Sequence, residues 1–140
     1  MILEWSNCCA RGIVDGLNGP VSLIDIIMQL SVPLSEIQPN KTIPHRLILA
    51  TGWRRTGIED HRNVRFDVYS GESFFFRYEG TVRFSEQDDT YVYLLWMRTI
   101  PASHSEIHFK IFQEGSDSDW EHMKTVTLPI RFTSAPIETG

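Results

Sequence analysis

The sequence predicts an all-β fold, an antiparallel β-sandwich of about seven to eight strands, immunoglobulin-like or C2-like in general architecture. Three observations carry that expectation. Apolar and polar residues alternate with period two through most of the chain, as strands with one buried face do. β-Branched and aromatic residues dominate those runs. Turn-forming pairs fall at regular intervals: Asp15-Gly16, Asn18-Gly19, Ser70-Gly71, Glu79-Gly80, Gln87-Asp88-Asp89 and Gly115-Ser116-Asp117.

Taken in order, the first strand is expected at 3–14, ending in the turn Asp15-Gly16-Leu17-Asn18-Gly19. The second, 20–30, is ambiguous in period: Leu23, Ile24, Ile26, Ile27 and Leu30 also fit a helical stripe. Its Asn-Gly-Pro start and β-branched content favour strand. Residues 31–42, with Pro33, Pro39 and Asn40, read as a long connection to a strand at 43–52. In 62–70, Val64, Phe66 and Val68 alternate with Arg65, Asp67 and Tyr69. In 72–85, Phe74, Phe75 and Phe76 are consecutive, so the middle ring must leave the face of the other two. Strand 90–100 follows. In 106–113, Ile107, Phe109 and Ile111 alternate with His108, Lys110 and Phe112. In 120–132, Val126, Leu128 and Ile130 alternate with Thr125, Thr127 and Pro129. One polar face per strand suits an antiparallel sandwich rather than a doubly covered parallel sheet. The expected organisation is one domain, 1–132, with 133–140 a frayed tail.

Composition narrows the classes. The chain has 140 residues, 41% hydrophobic and 22% charged, which is globular composition. A net charge of −5 argues against a nucleic-acid coat, which needs a basic face. The two cysteines, Cys8 and Cys9, are adjacent and on a strand point to opposite faces, which is poor disulfide geometry. The start lacks the basic, then apolar, pattern of a signal peptide, and the apolar-rich run 21–30 is too short to span a bilayer. The expectation is a cytoplasmic protein with no membrane insertion.

The layout resembles a family of small, uncharacterised bacterial β-sandwich proteins. The resemblance rests on the early turn into Val21-Ser22-Leu23-Ile24, the central hairpin 64–72, and the closing pair 106–111 and 125–130. It implies the sandwich fold, a domain of unknown function, and no functional residue to carry over.

No enzyme signature is present: no phosphate-cradling Gly-rich loop, no Gly-x-Ser-x-Gly elbow, no His-Glu-x-x-His and no Cys-x-x-Cys. No catalytic residue and no cofactor are implied. His104 and His108 have helical metal-ligand spacing, but on a turn and a strand, where four apart does not mean neighbours. His108 should face out and His122 in, unless a bulge intervenes. If the strands from 43 onward run up and down, the loops 53–61, 85–90 and 113–120 share one end. They carry Glu59, Asp60, Glu86, Asp88, Asp89, Glu114, Asp117 and Asp119. An alternative reading is therefore a ligand- or membrane-surface-binding sandwich with Ca²⁺ held by Asp88, Asp89, Asp117 and Asp119. Against it, Arg54, Arg55, His61 and Arg62 lie at the same end and can neutralise those carboxylates.

Charge and aromatic residues point instead to a partner. Residues 41–83 hold eight basic and five acidic groups (+3), and 84–122 hold two and eight (−6). Ten of the 13 cations are arginine, which is enriched at interfaces. In 91–97, Tyr91, Tyr93, Leu95 and Met97 share one face and Val92, Leu94 and Trp96 the other. Both faces are apolar, so both need cover, from the chain itself or from a second molecule. The expected function is a non-enzymatic protein-binding or structural module, a homodimer or a subunit of a larger assembly. Its expected contact residues are Trp53, Arg54, Arg55, His61, Arg62 (with Arg65 beside them), Phe75, Tyr91 and Tyr93. An enzyme with a site assembled from distant positions is the remaining alternative.

Overall fold

The computed structural model describes residues 1–14 and 21–134; in the first two strands the side chains of 12–14, 21, 22 and 24 are not described. Among the described residues, nine strands form two sheets packed into an all-β sandwich: β1 (Ile2–Val14), β2 (Val21–Ile26), β3 (Leu30–Pro33), β4 (Thr42–Arg54), β5 (His61–Ser70), β6 (Ser73–Arg83), β7 (Thr90–Pro101), β8 (Glu106–Glu114) and β9 (Trp120–Thr133). One sheet has the order β2-β1-β4-β7, the other β3-β9-β8-β5-β6.

The run 20–30 is the main departure from expectation. It is not one strand but two, β2 in the first sheet and β3 in the second, with the chain crossing between them at 27–29. A single apolar run therefore feeds both layers, which accounts for its mixed periodicity. β3 extends into the segment read as a connection, and a 3-10 turn (Leu34–Glu36) comes next. β3 pairs with β9 in parallel, Leu30 opposite Ile130, so the second sheet is mixed rather than purely antiparallel. Glu79-Gly80 is not a turn: β6 runs straight through it. The Asp15–Gly19 turn, and the tail from 135 on, lie outside the described residues, and Thr133 still belongs to β9.

Between the sheets lies one apolar core. Leu47, Leu49, Trp53, Leu95 and Met97 from the first sheet meet Val64, Phe66, Val68, Ile107, Phe109, Ile111 and Leu128 from the second. Tyr93 crosses the gap and stacks on Phe66, ring centres 5.4 Å apart. Trp53 Nε1 donates to Thr51 Oγ1 (2.9 Å), which donates to the Tyr93 carbonyl (3.0 Å), so these two buried side chains are paired.

The second sheet closes its own outer face. Asp67 is buried there and held by Arg77 (2.9 Å) and Arg65 (3.3 Å). Arg65 lies over the rings of Phe112 and Trp120, and Lys110 over Tyr69. Cation, carboxylate and aromatic ring satisfy one another across adjacent strands.

Candidate interaction face

The outer face of the first sheet is built differently. Three antiparallel strands, β1, β4 and β7, lie side by side, and their registers align outward residues into rows across the sheet. Cys9 is opposite Ile48, which is opposite Trp96. The next rows are Asn7–Ala50–Leu94 and Trp5–Gly52–Val92. A bulge at Glu4 puts Trp5 over Gly52, where any side chain would collide with the indole. Cys9, Ile48 and Ala50 are fully buried, yet they stand outside the core between the sheets. Trp96 is 61% exposed and Ile26, opposite Cys9 on β2, 57%. An outward sheet face normally alternates to polar residues; three successive rows here are dominated by apolar groups.

Past the Trp96 row comes a cationic end. Arg11, Arg46 and Arg98 line an open cleft of about 570 Å³ together with Ile48 and Trp96. All three are exposed and, among the described residues, none takes part in an ion pair. Three like charges on neighbouring strands repel one another, and an anionic neighbour relieves that cost.

The contact residues expected from sequence fall elsewhere. Trp53 is 1% exposed, inside the core, and offers nothing to a partner. Tyr91 and Tyr93 point inward and pack on the core, as does Phe75; the exposed rings of that triplet are Phe74 and Phe76. Both faces of β7 are apolar as expected, but Val92, Leu94 and Trp96 look outward, not the tyrosines. The N-terminal strand does not lie over them; it joins the same sheet beside β4.

The loop cations are engaged within the domain. Arg55 donates to Asp89 (2.9 Å) and rests on Phe84. Arg54 pairs with Glu4 (3.2 Å), Arg62 with Glu59 (3.9 Å) and His61 with Asp60 (2.7 Å). Loops 53–61 and 85–90 do meet: the Arg55 N–H donates to the Asp89 carbonyl and Phe84 N–H to Asp60. Asn63 reaches Glu114 at the foot of the 113–120 loop. The carboxylates there do not converge on a point, and no group of three or more metal-ligating side chains occurs among the described residues. The Ca²⁺ site from Asp88, Asp89, Asp117 and Asp119 is corrected accordingly: Asp89 answers an arginine.

Two histidine details are informative. A bulge in the β8–β9 pairing turns His122 outward against Phe112, overriding simple parity. At the β7–β8 turn, Ser103 Oγ lies 2.9 Å from His104 Nδ1, and the Ser70 hydroxyl accepts the His104 backbone N–H (3.1 Å). This resembles a nucleophile–base pair, but both groups are exposed on the turn, outside any described cavity, and no carboxylate orients the ring among the described hydrogen bonds. The cluster ties the turn at 103–104 to the end of β5.

Both cysteines are free. Burial pushes the Cys8 thiol up to about 12, and burial also raises Cys9, so neither is a ready thiolate. No helix among the described residues is long and apolar enough to cross a membrane. No family model matches the chain, and no curated protein is similar to it in sequence.

Proposed function

We propose that this protein is a non-enzymatic protein-binding module of the cytoplasm, and that it docks through the outer face of the β2-β1-β4-β7 sheet. The observation that carries this reading is the difference between the two outer faces. One is largely covered by its own ion pairs and cation–ring contacts, with Phe74 left exposed at its β6 edge. The other exposes Trp96 and Ile26, with Val92 and Leu94 half-buried between the strands, beside three arginines without ion-pair partners among the described residues. Aromatic and arginine side chains clustered on a flat apolar face are the composition of an interaction surface. The Arg54–Arg55 loop is a weaker candidate because its guanidinium groups already hold Glu4 and Asp89.

The test compares two variants of the tagged chain in extract of the native host. Trp96→Glu should abolish stoichiometric association with protein, whether another species or an untagged copy, and leave the melting curve unchanged. Arg54→Glu with Arg55→Glu should keep it. Association retained in Trp96→Glu removes this face from the account.

A further inference from the structure

We infer that the cleft at the arginine row binds a phosphate monoester. Arg46, Arg98 and Arg11 hold its dianionic head, and the Trp96 indole carries its organic part. The inference goes beyond the docking reading and stands without it. A small organic phosphate and a phosphorylated residue of a partner protein present the same group.

Strand register sets the row. Two positions beyond Cys9, Ile48 and Trp96 stand Arg11, Arg46 and Arg98, on three adjacent strands and lining one cleft. Strands lie about 4.8 Å apart, so the three backbone positions span about 10 Å. Side chains as long as arginine's can converge on one group from there. Their surroundings supply no counter-charge. β4 and β7 contain no acidic residue. β1 contributes only Glu4, at the far end and paired with Arg54, and β2 only Asp25, which enters no ion pair among the described residues. No carboxylate is among the described residues lining the cleft. Where the second sheet sets Arg65 and Arg77 close together, the buried Asp67 lies between them (3.3 and 2.9 Å). The first sheet has no such residue at its arginine row. Like charges left side by side destabilise a sheet, and a fold keeps such a conflict where a ligand resolves it.

Charge and oxygen count choose the ligand. Each guanidinium is permanently charged, with five N–H donors in a planar fork that matches phosphate oxygens in pairs. A carboxylate answers with a single charge and two oxygens. A phosphate monoester answers with a charge of about −1.5 to −2 and three strong acceptor oxygens, enough for all three arginines. The cleft, about 570 Å³, has the size of a small-ligand site and far more room than a bare phosphate fills. Its apolar wall is the Trp96 indole, 61% exposed. Trp96 is two residues from Arg98, about 6.6 Å along the strand, so one small molecule reaches both. A planar ring in that place stacks on the indole.

The experiment titrates phenyl phosphate into the purified chain by isothermal calorimetry at roughly 0.1 M salt, where distant exposed charges are screened. One equivalent should bind, with Kd below about 1 mM. Phenyl sulfate, with the same ring and a single charge, should bind at least about tenfold more weakly. Arg46→Gln and Arg98→Gln, at exposed positions, should each weaken phenyl phosphate about tenfold while the melting transition stays cooperative. Arg54→Gln should leave binding unchanged. Trp96→Ala should weaken phenyl phosphate and not inorganic phosphate. Absence of saturable binding overturns the inference, as does equal binding of phenyl sulfate or binding that survives both arginine substitutions. Phosphatase treatment of the host extract separates the two sources. If it abolishes the Trp96-dependent capture, the phosphate belongs to a residue of the partner protein. If capture persists, the site takes a small organic phosphate. Calorimetry needs no protein partner, so a chain that binds phenyl phosphate and captures nothing sinks the docking reading alone. A chain that captures protein through Trp96 and does not bind phenyl phosphate sinks this site alone.

Discussion

Gly80 leaves a gap in β6 that the phenol of Tyr93 fills; a Cβ there would fall on the Tyr93 hydroxyl and ring carbons. Tyr93 is in turn stacked on Phe66, and burial raises its pKa above the ordinary phenol value. Gly80→Ala should therefore overpack this contact and cost about 1–3 kcal/mol. Tyr93→Phe removes the nearest atom, so the double variant should lose less than the sum of the two single ones. A urea-denaturation double-mutant cycle measures this, and strict additivity would sink the account. The sequence marks Gly80 as a turn signal because glycine's two uses, bending and making room, look alike before the partner strand is known. The same limit applies to β7. Its alternation shows that both faces are apolar, yet only pairing with β4 shows that the tyrosines face Phe66 and that Trp96 faces out. The arginine row was equally hidden, since Arg11, Arg46 and Arg98 are remote in sequence and meet only through the registers of three strands.

Elements were legible where one face is apolar and the other polar. β5, β8 and β9 carry a period of two, and their buried apolar residues are the ones the period selects; Asp67, buried on the other face of β5, is the exception. What period cannot give is a bulge, which depends on two strands at once: those at Glu4, between Pro44 and Leu47, and between Ile111 and Phe112 each shift the facing of the residues beyond them. The β4–β5 connection was legible as charged, and its pairing was anticipated. There the Glu59 carboxyl is held below its ordinary value of 4.5, chiefly by a hydrogen bond from its own backbone N–H, with the Met1 amino group and Arg62 adding to it. Asp60 is likewise lowered, chiefly by the hydrogen bond with His61. Groups whose folded pKa is depressed stabilise above their unfolded pKa, and that contribution disappears as pH falls through the folded value. Melting temperature should thus be nearly flat from neutral pH down to the ordinary carboxylate range and drop below it. Glu59→Gln should melt lower than the parent at pH 7, with the gap closing below about pH 4. A gap independent of pH would show that the charge of Glu59 contributes nothing.

The order in which the chain visits the two sheets governs how the whole molecule comes apart. The first sheet takes β1, β2, β4 and β7; the second takes β3, β5, β6, β8 and β9. Neither sheet is built from a continuous half of the sequence. β1 and β4 are neighbours although β2 and β3 intervene in sequence, with β3 in the opposite layer, and β7 joins β4 across the intervening β5–β6 hairpin. Most pairings are non-local, so folding belongs to the millisecond-to-second regime of sandwiches rather than to that of helical bundles. No set of strands keeps a core of its own when the other sheet leaves, because Leu49 and Trp53 on one side and Phe66 and Phe109 on the other form one cluster. Equilibrium unfolding should accordingly be a single transition. Tryptophan fluorescence and far-ultraviolet circular dichroism should coincide in guanidinium chloride. Leu49→Ala in the first sheet and Phe109→Ala in the second should each cost about 2–5 kcal/mol and move both signals together. Should Phe109→Ala shift one signal and leave the other in place, the sheets would be separate cooperative units, and the interleaved order of strands would not be what binds them.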